Sequence, residues 1–591
     1  VSASRQRVAD QAAKKRAGRV PADERLLHPL SDIGNAARLI ADHGEDVRYV
    51  GDWGCWAAFD GVRWVRDGVG ASVQERAKAT VKNLLTEAVV ALKAAVDALA
   101  DAKTEEEEAK AKKAETAAKA MIAHAKKSHD IRKIRDMLSA AKSDPRVFIP
   151  VGSDVFDKRR DLLNCPNGTV DLRTEQLTPH RREDYLTTLC PIRFVYDAPR
   201  PLYLKFLDDI FPDSPNVADY LRALAGYMLT GEVTDQAVYL LVGDGSNGKT
   251  VWLELLLYVL GLELTYTVPA EVLLDASGNR HPTERAGFRG ARLAVASETQ
   301  EETALNESRI KNLTGGDTMT ARYCRQDFFS FSPTHKMALA TNHRPRVRGT
   351  DNGIWRRIRF IEFPRRFWTV SDQLREPKGV FKPEDKADPH LLERLKAEGE
   401  GVLADMVQAA RWFYAGNGTI EPPAEIAHAT AAYRKDEDTL GRFFMTKTQP
   451  CDEPNITGAE LRDSYVDWNR ANGHTDATLI GSRKFFERAA KLFGKPSKSS
   501  VMMYRCKLKH VDPLADPKDE TEAGAGGWEG STPNPGKRHT PGFSGFGPNV
   551  TGESSQPPVN DNQSDTTTSA NGTSTGRRYN PPPDDPLGGI R

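Results

Sequence analysis

Residues 237–261 constrain this chain more than any other stretch. Ala237 to Val242 is an apolar run, GDGSNGKT follows from Gly243 to Thr250, and Val251 to Leu260 is an apolar helical run ended by Gly261. A strand, a turn of the pattern Gly-x-x-x-x-Gly-Lys-Ser/Thr and a helix, in that order, read as a phosphate-binding loop. Gly243, Gly245 and Gly248 let backbone N–H groups approach phosphate closely, and the following helix directs its N-terminal dipole at that anion. The candidate nucleotide cradle is Gly243, Asp244, Gly245, Ser246, Asn247, Gly248, Lys249 and Thr250. Lys249 is placed to contact the β- and γ-phosphates, and the Thr250 hydroxyl to hold Mg2+. A chance glycine turn would not also carry the flanking strand and helix.

Nucleotide hydrolysis further needs an acid to hold the metal and orient water. Arg292 to Ala296 reads as a second apolar strand, ending in Ser297-Glu298. A carboxylate at the carboxyl end of a neighbouring parallel strand reaches the same sheet edge, so Glu298 is the candidate catalytic and metal-binding acid. Glu301 and Glu302 follow too late for that position and read as a solvated acidic turn. Met337 to Thr341 is a third apolar strand ending in Asn342, whose amide can bond a γ-phosphate or the attacking water. Asn also ends strands in ordinary turns.

The remaining sequence sets the frame. A chain of 591 residues exceeds one hydrophobic core, so several domains are expected. The six cysteines are dispersed without a CxxC pair, which argues against a disulfide framework or zinc site and for reduced thiols in the cytoplasm. No run reaches the ~18 apolar residues of a membrane span, and no signal peptide opens the chain. The predicted organisation is a flexible arm over 1–30, an α+β region over 31–230, an α/β core over 231–370, a helical connector over 371–435, a small module over 436–510 and a disordered tail over 511–591. Residues 72–141 hold no Gly or Pro and predict long helices inserted in the first region, acting as a solvated spacer or a docking element. The tail is rich in Pro, Gly, Ser, Thr and Asn, with eleven acids against six bases, a net of −5. The stretch 344–366 is its opposite, eight arginines against two acids, a net of +6 that reads as a phosphate-facing or subunit-facing surface.

GDGSNGKT, RLAVASE, KNLTGGDTMTARY, KMALATNHRP and GIWRRIRFIEF, in that order, resemble superfamily 3 helicases. More narrowly, the chain resembles the phage- and plasmid-encoded primase-helicase family that includes the poxvirus uncoating-type ATPases. The resemblance is dense over about 235–365 and extends, more weakly, to the Trp-rich segment near residue 53 and to DLLNCPNGTVDL. It implies an AAA-like P-loop NTPase that uses ATP and Mg2+, assembles as a homo-hexameric ring around single-stranded DNA and moves 3′ to 5′.

Residue by residue, Lys249, Thr250, Glu298 and Asn342 match family positions, and Arg357 matches the arginine finger offered to a neighbouring subunit, with Arg356 as the fallback. Many relatives carry two adjacent acids where this chain has Ser297-Glu298, so one acid would do both jobs. Gly315 to Lys336 matches the motif whose β-hairpin enters the ring channel, making Arg322, Arg325 and Lys336 the DNA-binding candidates, with Tyr323 and Phe328 among them. Phe329 and Phe331 read as hairpin core, and so does Phe328.

Three helices and a strand over 436–510 resemble a winged-helix-like module, with duplex DNA as its expected partner. The expected function is an ATP-dependent replicative DNA helicase of a phage, prophage or plasmid. The alternatives are a bifunctional primase-helicase, or an origin-binding or loader ATPase without unwinding activity. Residues 1–145 offer no evident carboxylate cluster for primer synthesis, so a separate primase or polymerase is an expected partner.

Overall fold

The computed structural model describes residues 28–275, 282–297, 304–323, 328–347, 352–375, 381–472, 479–498 and 501–509. Residues 1–27 of the arm and the tail 511–591, together with Glu298 and Arg325, lie outside them.

The chain opens on α1 (Asp32–His43), whose first turn is capped by the Ser31 hydroxyl accepting from the Gly34 N–H. It packs on a sheet of β1 (Val47–Val50), β2 (Cys55–Phe59), β3 (Trp64–Asp67) and β4 (Phe148–Ile149) in the order β3-β2-β1-β4. Between β3 and β4 run α2 (Ala71–Asp101), α3 (Glu105–Ser128) and α4 (Ile131–Ala141). Alanine-rich sequence without Gly or Pro lets α2 extend for 31 residues, and a Thr104–Glu107 capping box starts α3. The two lie against each other through Leu84, Ala88, Met121 and Ala125. A small antiparallel sheet follows, β5 (Leu162–Cys165), β6 (Gly168–Asp171) and β7 (Gln176–Thr178), then α5 (Pro201–Ile210) and α6 (Pro215–Leu229).

The centre of the molecule is a mixed α/β arrangement around one five-stranded sheet. In chain order its elements are β8 (Val238–Val242), α7 (Lys249–Leu260), β9 (Thr265–Pro269), β10 (Leu293–Ser297), α8 (Glu307–Thr314), the hairpin β11 (Met319–Arg322) and β12 (Phe328–Phe331), β13 (Lys336–Thr341), α9 (Asn352–Trp355) and β14 (Ile358–Glu362). The strands are all parallel, in the order β14-β8-β13-β10-β9. The inner strands β8, β13 and β10 are nearly all apolar because both their faces are covered, whereas the edge strands β9 and β14 carry polar residues. Alternate residues Tyr239, Leu241, Leu293 and Val295 join a core with α5, α6 and α7, while Val238, Leu240, Ala294 and Leu339 face α8. The helices α10 (Val370–Arg375), α11 (Leu391–Ala397), α12 (Gly399–Ala415) and α13 (Ala424–Glu437) follow, α12 packing along α6. Among the described residues no helix is long and apolar enough to cross a membrane.

The C-terminal described region holds α14 (Thr439–Lys447), α15 (Gly458–Ala471) and α16 (Ser482–Phe493) around Phe443, Tyr465, Phe485 and Tyr504. The single strand expected over 501–510 is instead two, Met502–Tyr504 and Cys506–Leu508, which join different small sheets. The break falls at Arg505, whose carbonyl accepts from the Cys451 N–H at 3.1 Å.

Two buried cations fasten the amino ends of the central strands. Arg292, just before β10, donates to the Leu229 and Leu162 carbonyls at 2.5 Å. Lys336, the first residue of β13, donates to the Thr230 carbonyl, and its ammonium lies 5.0 Å from the Tyr227 ring centre. Cations at the carboxyl end of α6 complement its dipole. This corrects the expectation of a DNA contact from Lys336: the residue is 3% exposed, and burial beside Arg292 pushes its pKa well down. Lys336→Ala should therefore destabilise by about 2–4 kcal/mol in urea unfolding, leaving a cavity and an orphaned carbonyl. Strand affinity of the folded variant should equal that of the parent.

Beside it, His335 is buried, with Nε2–H donating to the Leu313 carbonyl at 3.0 Å and Nδ1 left without a partner. Burial lowers its pKa from 6.5 to about 4. The unfolded chain then binds this proton first, so the stability is whole above pH 6.5 and is lost as pH falls from there through 4. The loss should approach about 3 kcal/mol, and His335→Gln should flatten it when urea midpoints are compared at neutral and acid pH.

Candidate functional site

Strand register brings the candidate residues to one sheet edge. Thr341 pairs with Val242, and Ala340 with Ser297, so β8, β13 and β10 end level. Gly243 and Asn342 follow these strands there side by side, and β10 ends at Ser297 on the same edge. The connection from β8 runs to β9 at the far side of the sheet, whereas that from β13 runs to β14 on the other side of β8. The crevice outside such a switch of direction is where parallel α/β sheets bind ligands.

The loop itself is held open. Gly248, at φ +88°, caps α7 in a left-handed conformation, and a Cβ there would meet Ile210 Cδ1 at 2.6 Å. Gly245 is also left-handed, at φ +94°, and no atom lies within 4 Å of where its Cβ would sit. The Phe367 N–H donates to the Ser246 carbonyl at 2.7 Å and pins the outer turn.

Lys249 lies in the first turn of α7 and is 5% exposed. Its ammonium donates to Asn342 Oδ1 at 2.6 Å, to the Gly243 carbonyl at 2.8 Å and to Asn247 Oδ1 at 3.4 Å. All three partners are neutral oxygens, and no carboxylate pairs with it among the described residues. Burial lowers its pKa, with the Asp244 charge partly opposing. A buried cation with no direct ion pair among the described residues, beside an Asn247 amide nitrogen that is buried and unpartnered, suits an incoming anion. Thr250 is exposed next to it at the helix start. These groups fit a nucleotide phosphate chain: Lys249 and the loop amides would hold the phosphates and Thr250 would hold Mg2+. Among the described residues no group of three His, Cys, Asp or Glu side chains is gathered to hold a metal.

The other candidates are placed elsewhere. Arg357 precedes β14, and its carbonyl accepts from Val238 at the start of β8, roughly 15 Å along the strand from the loop. Its guanidinium reaches the Gln236 carbonyl at 3.4 Å and Thr314 Oγ1 at 3.3 Å. The structure thus does not bring Arg357 to the loop of its own chain. Arg322 lies over Phe328, with 5.1 Å between guanidinium and ring centre. Phe331 is buried and Phe329 packs on the core, but Phe328 is 60% exposed, which corrects its expected place in the hairpin core.

Four of the eight arginines in the rich stretch pair with carboxylates among the described residues. Arg344 pairs with Glu362 at 2.6 Å, Arg365 with Asp385 at 2.6 Å and Arg366 with Asp372 at 3.1 Å, while Arg359 pairs with Asp235. The Arg344–Glu362 pair was missed in the sequence. Glu362 stands opposite Val242 in register, so this pair flanks the loop on the same edge.

Comparison with known proteins finds two matches along the chain. Residues 36–212 match the family described as "D5 N terminal like", and residues 241–357 match a family of unknown function, DUF5906. A putative helicase of Acanthamoeba polyphaga mimivirus is 27% identical over 327 residues, covering 54% of this chain and 34% of that protein. A putative helicase of Invertebrate iridescent virus 6 is 26% identical over 397 residues, covering 62% and 40%. A putative primase of African swine fever virus is 27% identical over 335 residues, covering 54% and 34%. The matched stretch thus spans little more than a third of these curated relatives. Among solved structures, the C-terminal region of NrS-1 is loosely alike, with TM-score 0.33 and 10% identity over 54% of this chain and 77% of that one. This chain thus matches two family models in successive blocks and is similar, over about half its length, to viral proteins named putative helicase and putative primase.

Proposed function

We propose that this chain is the ATP-driven motor part of a primase-helicase that acts in DNA replication. The observation that carries the reading is the buried Lys249 ammonium held between the Gly243 carbonyl and Asn342 Oδ1, where three parallel strands end level. Relatives named helicase and relatives named primase each match about half of this chain, which favours this reading over a stand-alone helicase.

In the proposed cycle Lys249 exchanges its neutral oxygen partners for the β- and γ-phosphate oxygens of ATP. Asn342, released from Lys249, turns its amide to the γ-phosphate or the attacking water. Glu298 orients that water from the end of β10. Mg2+, when bound, neutralises phosphate charge beside Thr250. Arg357 serves a neighbouring copy, since it stands far from its own loop; this is why hydrolysis would need a ring, taken here as a superfamily 3 hexamer with an AAA-like core. The strand order supports that core, because β13 sets Asn342 between the loop and the acid-bearing strand. Arg322 on the hairpin, with Arg325 of the same sequence motif, would hold a DNA strand in the channel. The region 439–508, with exposed Lys484 and Lys491 on α16, would contact duplex as a winged-helix-like module.

Two assays on the purified chain decide the class. It should displace a strand from forks tailed at the 3′ end in preference to the 5′ end. Supplied with template and nucleoside triphosphates alone, it should make no primer, leaving that step to a partner or to sequence outside this stretch. Site-specific duplex binding without displacement would instead establish a loader.

A further inference from the structure

A second concave site lies away from the phosphate loop, where the first sheet meets the hairpin. It is a cavity of about 320 Å³ lined by Trp53, Arg66, Arg289 and Tyr323, with the Arg63–Glu263 ion pair at one side. That volume is at the lower end of the roughly 300–1,000 Å³ typical of ligand clefts.

Its chemistry is specific. Trp53 is backed by Phe156, with ring centres 4.8 Å apart and planes 19° from parallel. Tyr323, 37% exposed, is backed by Phe329 at 5.1 Å and 24°. Each aromatic is thus held rigid by a ring behind it. Arg63 is neutralised by Glu263, but Arg66 and Arg289 are exposed and make no direct ion pair among the described residues, although Arg289 lies near enough to the buried Asp157 carboxyl to act on its charge. Arg66 donates to the Trp53 carbonyl at 3.3 Å and its guanidinium lies 6.0 Å from the Trp53 ring centre, while Arg289 lies over the Phe329 ring. Two aromatic platforms beside two exposed guanidinium groups outside any direct ion pair match a nucleobase beside phosphate.

We propose that this cleft binds an unpaired DNA strand, stacking a base on Trp53 or Tyr323 and holding its flanking phosphates with Arg66 and Arg289. This rests on the reading of the chain as a DNA motor. A strand fits better than a free nucleotide because Tyr323 directly follows β11 of the hairpin that the motor reading places on DNA. Strand held here would connect the first sheet to that hairpin.

The test is binding of a fluorescently labelled oligothymidylate to the full chain, followed by anisotropy across a salt series. Tyr323→Ala and Trp53→Ala should each weaken binding about 10-fold. Arg66→Ala with Arg289→Ala should flatten the log–log salt slope by about 1.4, and lysine at both positions should restore it. Thermal melting checks folding; if Trp53→Ala unfolds, the exposed Tyr323 and arginine variants still decide. Affinity and slope equal to the parent's in those variants would overturn the proposal, as would displacement of the strand by free thymidine triphosphate. If the parent hydrolyses ATP in response to DNA while these variants bind as it does, only the cleft fails. If these variants lose the strand but the parent hydrolyses no ATP, the cleft stands and the motor reading fails.

Discussion

Lys249→Ala should lower ATP turnover by about 10²–10³-fold and abolish any strand displacement that depends on it. The size follows from removing one preorganised charge aimed at the transferred phosphoryl group in a water-poor site. The structure supplies the preorganisation: the ammonium is 5% exposed and held by three neutral oxygens. Lys249→Met separates charge from volume and should be as inactive as alanine. Neither variant should unfold, because each removes a desolvated charge that has no counter-ion among the described residues. Steady-state hydrolysis beside a urea melt makes the distinction. An active Lys249→Met would mean that the loop does not bind the nucleotide through this side chain.

Asp405→Ala should have the largest effect on stability. Asp405, on α12, is 1% exposed and accepts from Arg200 Nε at 3.1 Å, Arg222 Nε at 3.1 Å and Arg222 Nη2 at 2.6 Å. One carboxylate therefore neutralises two guanidinium groups whose side chains are only 21% and 12% exposed. Removing it takes the carboxylate from Arg200 and leaves Arg222 the longer pair with Asp219 at 3.4 Å, and breaking a buried pair this way costs about 3–5 kcal/mol. The damage would not stay local. Arg222 belongs to α6, and the carboxyl end of α6 receives Arg292 and Lys336 from the starts of β10 and β13. Loosening α6 would free the strands whose other ends carry the site. Asp405→Asn keeps part of the hydrogen bonding and should lose less in chemical unfolding.

The part of the fold nearest the chemistry was legible because its signals are local. Five consecutive buried residues make β8 an apolar run, and a helix rising straight from Lys249 leaves the glycine loop between them. The strands leading to Glu298 and Asn342 are equally apolar for the same reason, cover on both faces. What could not be read was non-local. Lys336 looks like a hairpin cation in sequence, and only the Thr230 carbonyl, 106 residues away, makes it a buried anchor. Arg359 looks free until Asp235, 124 residues before it, is folded against it. Strand order is of the same kind: nothing local says that β13 inserts between β8 and β10 and delivers Asn342 to Lys249. The second cleft was hidden because its aromatics and arginines come from stretches more than 200 residues apart.

The central claim is that the Lys249 loop powers movement on DNA. The most direct measurement is displacement of a labelled strand from a 3′-tailed fork by the full chain, with ATP and with Lys249→Met alongside. The account predicts displacement that requires ATP, by the parent only. Displacement by the variant, or ATP hydrolysis that ignores DNA and displaces nothing, would contradict it.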